Sequence, residues 1–128
     1  MRLLLDTHTL LWWRMDDERL PRTLDSVITD RQNEILVSIV SFWEMAIKRS
    51  LGKLKFEGSL DRFAATLIRE NGFTQLPLEV PHLSRLEHLP HHHRDPFDRL
   101  LIAQTLETGA RAVTDDPAWN RYGVKILW

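Results

Sequence analysis

Four widely separated stretches of the sequence each carry acidic side chains that strands or helices could bring together. Asp6 ends the apolar run LLLD, and Glu44 lies in the largely apolar segment SFWEMA. Asp98 stands in RDPFDRLLIAQ, and the pair Asp115 and Asp116 directly follows RAVT. A buried carboxylate is costly unless something pairs with it, because the bare anion loses its hydration. Asp6, at the end of a buried run, therefore needs a partner.

Converging carboxylates predict a cation and a particular chemistry. The acids repel one another and their pKa values rise unless a cation joins them. The chain has no cysteine, and hard oxygen ligands favour Mg2+ or Mn2+ over zinc. An ion held by carboxylates and open to solvent activates water and clamps a phosphodiester for in-line attack. The predicted reaction class is metal-dependent hydrolysis of a phosphodiester.

These acids can converge only if the elements that carry them form a parallel sheet. We predict strands at residues 2–5, 34–38, 73–76, 111–114 and 124–127. Helices are predicted at 9–14, 21–30, 60–70, 81–89 and 96–108, with a short helical turn at 117–120. A further helix, capped by Ser38 or Ser41, is predicted to run to about Leu51. Strands that alternate with amphipathic helices favour a parallel sheet covered on both faces. In such folds ligands bind beyond the carboxyl ends of the strands, where Asp6 is expected.

Length and composition limit the remaining possibilities. The 128 residues, 43% hydrophobic and 27% charged, predict one globular domain over 1–128. No apolar stretch approaches the roughly 20 residues of a membrane span, and the first apolar run is too short for a signal peptide. We therefore expect a cytoplasmic protein. The formal net charge of -1 gives no overall attraction to nucleic acid, so any such contact must use local patches.

Each acid also has an ordinary structural explanation. Asp95 is most simply the cap of the helix that begins at Pro96, and Asp98 a first-turn residue favoured by the helix dipole. Either Asp115 or Asp116 could cap the turn at Pro117. Only the shared placement of the acids near strand ends favours a common site.

Several stretches of the chain together resemble one family. LLLDTHTLLWW, SIVSFWEMAIK, HHRDPFDRLLIAQ, AVTDDPAW and YGVKILW occur in the order found in PIN-domain ribonucleases, specifically the VapC-like toxins of bacterial type II toxin–antitoxin systems. The resemblance covers nearly the whole chain, and DPFDRLLIAQ and DTHTLLW are its most specific parts. It implies four metal-binding, catalytic acids: Asp6, Glu44, Asp98 and Asp116. Asp115 remains an alternative for the fourth acid, Asp95 a possible addition, and Thr7 and Thr114 stand where the family often has hydroxyls.

The resemblance also implies properties that the residues alone do not give. It implies a PIN-like three-layer α/β/α sandwich with a four- or five-stranded parallel sheet. It further implies Mg2+ or Mn2+ as cofactor, RNA as substrate, a homodimer and a cognate VapB-like antitoxin. Family antitoxins typically lie across the acidic groove and sometimes place an arginine near the carboxylates, and an arginine is a suitable partner for such a cluster.

Basic residues near the acids raise the question of substrate contacts. Lys48, Arg94 and Arg99 are candidates for binding RNA phosphates, with a solvated helix face as the ordinary alternative for Lys48. His91, His92 and His93 cannot all face one ion, because they are consecutive. We expect this tract to be a solvent-facing loop that can touch a substrate phosphate.

Two other classes of function remain as alternatives. One is a PIN-fold binding module without catalytic activity, which the presence of all the expected acids disfavours. The other is a receiver-like phospho-acceptor domain, which needs an acceptor aspartate at a middle strand end and a lysine after a late strand. The segments SIVS and PLEV supply no such aspartate, and Lys125 lies inside its predicted strand.

Overall fold

Five short strands form one sheet in which all neighbouring pairs are parallel. They are β1 (Arg2–Leu5), β2 (Glu34–Ser38), β3 (Thr74–Leu76), β4 (Arg111–Val113) and β5 (Ile126–Leu127). The computed structural model describes residues 1–128, and the strands lie in the order β3-β2-β1-β4-β5. Because the order reverses between β1 and β4, the crevice beyond these two strands is where such sheets bind ligands.

Helices cover both faces of the sheet and complete the predicted three-layer α/β/α sandwich. The α-helices are α1 (Thr7–Arg14), α2 (Arg22–Thr29), α3 (Ile39–Ser50), α4 (Leu60–Arg69), α5 (Val80–Glu87) and α6 (Pro96–Thr108). A 3₁₀ helix (Pro117–Tyr122) lies between β4 and β5. No helix has both the length and the apolar character needed to cross a bilayer.

The central strand β1 supplies side chains to both hydrophobic cores. Leu3 and Leu5 pack with residues of α1 to α4 on one face, whereas Leu4 packs with α6 and the 3₁₀ helix on the other. Successive residues of a strand point to opposite faces, so a strand covered on both sides must be apolar throughout. The run LLL therefore fixes β1 at the centre of the sheet, and its carboxyl end lies at the centre of the ligand-binding edge.

Most predicted elements are confirmed, with differences at their ends. Helix α1 begins at Thr7 rather than residue 9, because Asp6 itself is the N-cap. Ser38 caps α3, which settles the choice between Ser38 and Ser41. Strand β5 is only two residues long, as Gly123 ends the 3₁₀ helix in the left-handed region (φ 76°). The sheet has five strands, the upper of the two predicted numbers.

Candidate active site

Asp6 lies buried at the carboxyl end of β1, where three groups donate to it or hold its backbone. Its Oδ1 accepts from the backbone N–H of Thr9 at 2.8 Å, and its Oδ2 accepts from the Thr114 hydroxyl at 2.6 Å. Its own N–H donates to the carbonyl of Val113 at 3.2 Å, which continues the pairing of β1 with β4. Burial raises the pKa of Asp6, although these hydrogen bonds partly offset the effect. The strand thus ends on an acid because the acid starts the next helix.

Glu44 is buried on α3, about one and a half turns after the end of β2. Its Oε2 lies 2.7 Å from the Nζ of Lys48, one turn further along the helix. Its Oε1 is also buried and has no hydrogen-bond partner. Such an atom normally carries a large desolvation penalty, so its lone pairs are available to a ligand that brings positive charge. Lys48, a predicted phosphate contact, is paired in the structure with Glu44, one of the predicted site acids.

Asp98 lies in the first turn of α6, and the other acids affect its pKa. Asp95 caps this helix by accepting from the N–H groups of Phe97 and Asp98 at 2.8 and 3.2 Å, which confirms its predicted structural role. Burial, and then the negative charges of Asp95, Asp6 and Glu44, together raise the pKa of Asp98 to about 7, while His93 opposes the shift. Acids from the end of β1 and from α3 therefore contribute to the charge around Asp98.

Asp116, rather than Asp115, is the acid that faces this centre after β4. Asp115 is exposed, whereas Asp116 caps the 3₁₀ helix by accepting from the N–H of Ala118 at 2.9 Å. Its other oxygen, Oδ2, lies 2.8 Å from the Nε2 of His93, and the Oδ2 of Asp98 lies 3.1 Å from the same nitrogen. One ligand atom from each of His93, Asp98 and Asp116 lies within 4.8 Å of the others.

The two predicted threonines have different positions. The Thr114 hydroxyl donates to Asp6 and accepts from the N–H of Asp116 at 3.1 Å, so it links two of the acids. The buried Thr7 hydroxyl donates to the hydroxyl of Ser41 at 3.0 Å and so joins α1 to α3. Thr114 is therefore in contact with the acidic centre, and Thr7 supports the helices around it.

Arg99, a predicted phosphate contact, has hydrogen-bond partners within the protein. Its guanidinium is buried and donates to the carbonyl of Pro90 at 2.8 Å and to the Tyr122 hydroxyl at 3.3 Å. Its charge is thus used to hold the loop before α6. Arg94 is exposed and lines a surface cavity of about 550 Å³ beside the acidic centre, so its predicted contact with substrate stays open.

His93 is the site residue that the sequence analysis missed. His91 and His92 are exposed, as expected for a loop, but His93 turns inward to Asp98 and Asp116. Three consecutive histidines give no indication of which one faces inward. Its position in the sequence could have indicated this role. His93 stands two residues before Asp95, the cap of α6, and a residue there can fold back over the first turn of the helix.

The side chains present fit a hard divalent cation. The predicted acids offer only oxygen ligands, as Mg2+ and Mn2+ prefer. The unpartnered Oε1 of Glu44 and the raised pKa of Asp98 both indicate a place where added positive charge would be stabilised. The residues that would hold such an ion are Asp6, Glu44, Asp98 and Asp116.

The fold and this acidic centre define a class: parallel α/β proteins with carboxylates gathered where the strand order reverses. Comparison with known families gives the class its name. The model of the PIN domain matches residues 3–125, and the chain belongs to the PIN-domain family. The receiver-like alternative is thereby wrong, since the chain belongs to a different family.

Similar proteins include one curated sequence and several solved structures. Ribonuclease VapC22 of Mycobacterium tuberculosis is 25% identical over 135 residues, covering 89% of this chain and 86% of that protein. VapBC2 from Rickettsia felis, bound to a DNA fragment from its promoter, aligns with a TM-score of 0.73 at 12% identity over 99% of this chain and 98% of that one. FitAcB from Neisseria gonorrhoeae aligns with a TM-score of 0.66 at 15% identity, over 98% and 96% of the two chains.

Proposed function

We propose that this protein is a metal-dependent endoribonuclease toxin that a cognate antitoxin holds inactive. The observation that carries the proposal is geometric: the Thr114 hydroxyl links Asp6 to Asp116, and the Oδ2 atoms of Asp98 and Asp116 both lie within 3.1 Å of the same nitrogen of His93. Membership of the PIN-domain family and the similarity to a protein named as a VapC ribonuclease support RNA as the substrate.

The proposed cofactor is Mg2+ or Mn2+, held by the four acids. A bound ion of this kind supplies an activated water and stabilises the negative charge that develops on a phosphodiester. The protein's own contribution is to fix its ligands: Thr114 orients Asp6, and Lys48 keeps one oxygen of Glu44 occupied. We infer that the exposed Arg94, which lines the cavity beside the centre, contacts the RNA backbone.

The proposed partner is a VapB-like antitoxin, with the toxin present as a homodimer. The resemblance to VapC-like toxins of toxin–antitoxin systems, and the similarity to VapBC2 bound to a DNA fragment from its promoter, support this partner. A basic side chain from the partner, placed among the acids, would neutralise them as a metal ion does. We expect the chain to co-purify with the product of a small neighbouring gene and to lose activity in that complex.

Cleavage of a panel of structured RNAs tests the proposed activity. We expect wild-type protein to cleave with Mn2+ or Mg2+ and to be inactive with a chelator. Glu44→Gln should lower the rate by more than about 100-fold, because it removes a charged ligand without changing the shape of the side chain. Asp115→Asn is the matched control, because this exposed acid lies beside the site and faces away from it.

The outcomes separate the nuclease from a catalytically inactive binding module. Metal-dependent cleavage that survives in Asp115→Asn and is lost in Glu44→Gln supports the nuclease. Binding of the partner without cleavage of any RNA would support the inactive module. Equal cleavage by both variants would mean that a contaminating nuclease produced the signal.

A further inference from the structure

His93 contacts two acids of the site through Nε2. The hydrogen bond made by its other ring nitrogen, Nδ1, shows whether Nε2 donates or accepts in these contacts. Nδ1 lies 3.1 Å from the backbone nitrogen of Asp95. A backbone N–H can only donate, so Nδ1 accepts and the ring hydrogen of the neutral imidazole is on Nε2. Nε2 therefore donates to the Oδ2 atoms of Asp98 and Asp116, at 3.1 and 2.8 Å.

A nitrogen that carries a hydrogen in the plane of the ring has no lone pair for a cation. For Nε2 to bind a metal, the hydrogen would have to move to Nδ1, where it would oppose the N–H of Asp95. The backbone N–H of Asp95, the residue that caps α6, would then lose its acceptor. The backbone at the start of α6 thus selects the donor form of His93.

Buried side chains hold the loop that carries His93 in place. The Tyr122 hydroxyl accepts from the backbone N–H groups of His92 and His93 at 2.9 and 2.8 Å. The buried guanidinium of Arg99 donates to the same hydroxyl and to the carbonyl of Pro90. This arrangement fixes the ring before any ligand arrives, as a positioning group requires.

We propose that His93 is a positioning residue of the metal centre, which orients the carboxylates of Asp98 and Asp116 through its Nε2–H and does not itself bind the metal. The inference deepens the proposed function and rests on it. Carboxylates that bind metals are themselves usually hydrogen-bonded, and loss of such a partner typically lowers metal affinity or activity by about 10- to 100-fold. Asp98 keeps its second oxygen, Oδ1, for the ion.

Two substitutions of His93 test the roles of its two ring nitrogens separately. In His93→Asn the amide oxygen can replace Nδ1 as the acceptor for Asp95, but the side chain is too short to reach the two acids. In His93→Gln the amide nitrogen can replace Nε2 as the donor to the acids. His91→Asn is the matched control, because His91 is exposed in the same tract.

Mn2+ binding, measured by calorimetry on the purified full-length chain, provides the first test. We expect His93→Asn to weaken Mn2+ binding by about 10-fold or more and His93→Gln to restore most of the affinity. His91→Asn should bind as the wild type does. Thermal unfolding of the metal-free variants shows whether each remains folded at the temperature of the titration. If His93→Asn is unfolded there, the comparison of wild type with His93→Gln and the spectrum described next decide the question.

Pulsed electron paramagnetic resonance of the Mn2+ complex provides the second test. Wild-type protein should show no strong coupling to a directly bound ¹⁴N nucleus. Such a coupling, lost in His93→Gln, would make His93 a ligand and overturn the proposal. Tighter Mn2+ binding by His93→Asn would mean that the imidazole competes with the ion, and unchanged binding would mean that it does not act on the site. Wild-type protein that binds no Mn2+ would overturn the proposed function as well, so the two failures are distinguishable.

Discussion

The two sides of the acidic centre stabilise their carboxylates in different ways. On the strand side, at the ends of β1 and β4, Asp6 accepts from a backbone N–H and from the Thr114 hydroxyl. On the helix side, at the start of α6, the polar partner of the Asp98 carboxylate is His93, which comes from a loop. Asp6 is the more buried of the two, but hydrogen bonds counter the desolvation of its charge.

The difference lies in what each side leaves for a ligand. The strand side is a finished hydrogen-bonded structure, in which the acid also caps a helix. The helix side keeps an acid whose pKa is raised to about 7 by burial and by other acids. A cation that stabilises the charged form recovers this energy when it binds. The pKa of Asp6 is raised as well, so a cation gains energy on both sides, and we infer that the hydrogen bonds of the strand side add rigidity.

Removal of the Thr114 hydroxyl should give the largest loss of stability. In Thr114→Val the buried Asp6 side chain loses its shortest hydrogen bond, which is 2.6 Å long. We expect the free energy of unfolding at pH 7.5 to fall by about 2 kcal/mol, since leaving a buried polar group without its partner costs about 1–3 kcal/mol.

Denaturant unfolding of the metal-free protein measures this effect. Thr114→Ser retains the hydroxyl and should recover most of the stability. A Thr114→Val protein as stable as the wild type would show that the strand side is not held by this bond, and the contrast between the two sides would disappear.

Neutralising the helix side should have the opposite sign. The pKa of Asp98 in the folded chain, about 7, lies above its ordinary value of 3.8. Between these values the folded state binds more protons than the unfolded state, so this residue lowers stability as pH rises from about 4 to 7. Asp98→Asn removes the effect and should stabilise the metal-free protein at pH 8 by on the order of 1 kcal/mol.

Two conditions sharpen this test. The gain should vanish near pH 4, where Asp98 of the wild type is protonated in the folded state. With excess Mn2+ the order should reverse, because a ligand that binds only the folded wild type stabilises it. A gain that is the same at pH 4 and pH 8 would assign the effect to packing instead of charge.

An exposed ion pair far from the site serves as the reference for the stability changes above, and its removal has the smallest expected effect. Arg2 Nε and Glu34 Oε2 are 3.0 Å apart at the amino ends of β1 and β2, and both side chains are largely exposed to solvent. Glu34→Gln should change the unfolding free energy by less than about 0.5 kcal/mol. Salt titration of both proteins checks this, because a larger, salt-insensitive change would mean that ordinary surface acids act as strongly as those of the site.

Much of the fold, and two of the acids that cap helices, could be predicted from local chemistry. The run LLL must be buried on both faces, and Asp6 and Asp95 act as caps through contacts to residues two or three positions away. The buried role of Arg99 could not be predicted in the same way, because its partners Pro90 and Tyr122 come from different elements. A charged side chain close to a predicted site is interpreted as a ligand-binding group unless its tertiary contacts are known.

The sequence by itself determined the alternation of strands and helices, the cap of α6 at Asp95 and the supply of acids, since each depends on residues that are neighbours in the chain. The tertiary structure alone decided that Asp116 faces the centre while Asp115 faces solvent, and that only His93 of the three histidines turns inward. Adjacent residues differ there only in direction. Direction is fixed by contacts between β4, the 3₁₀ helix and the loop before α6, which are distant in sequence and meet only in the folded chain.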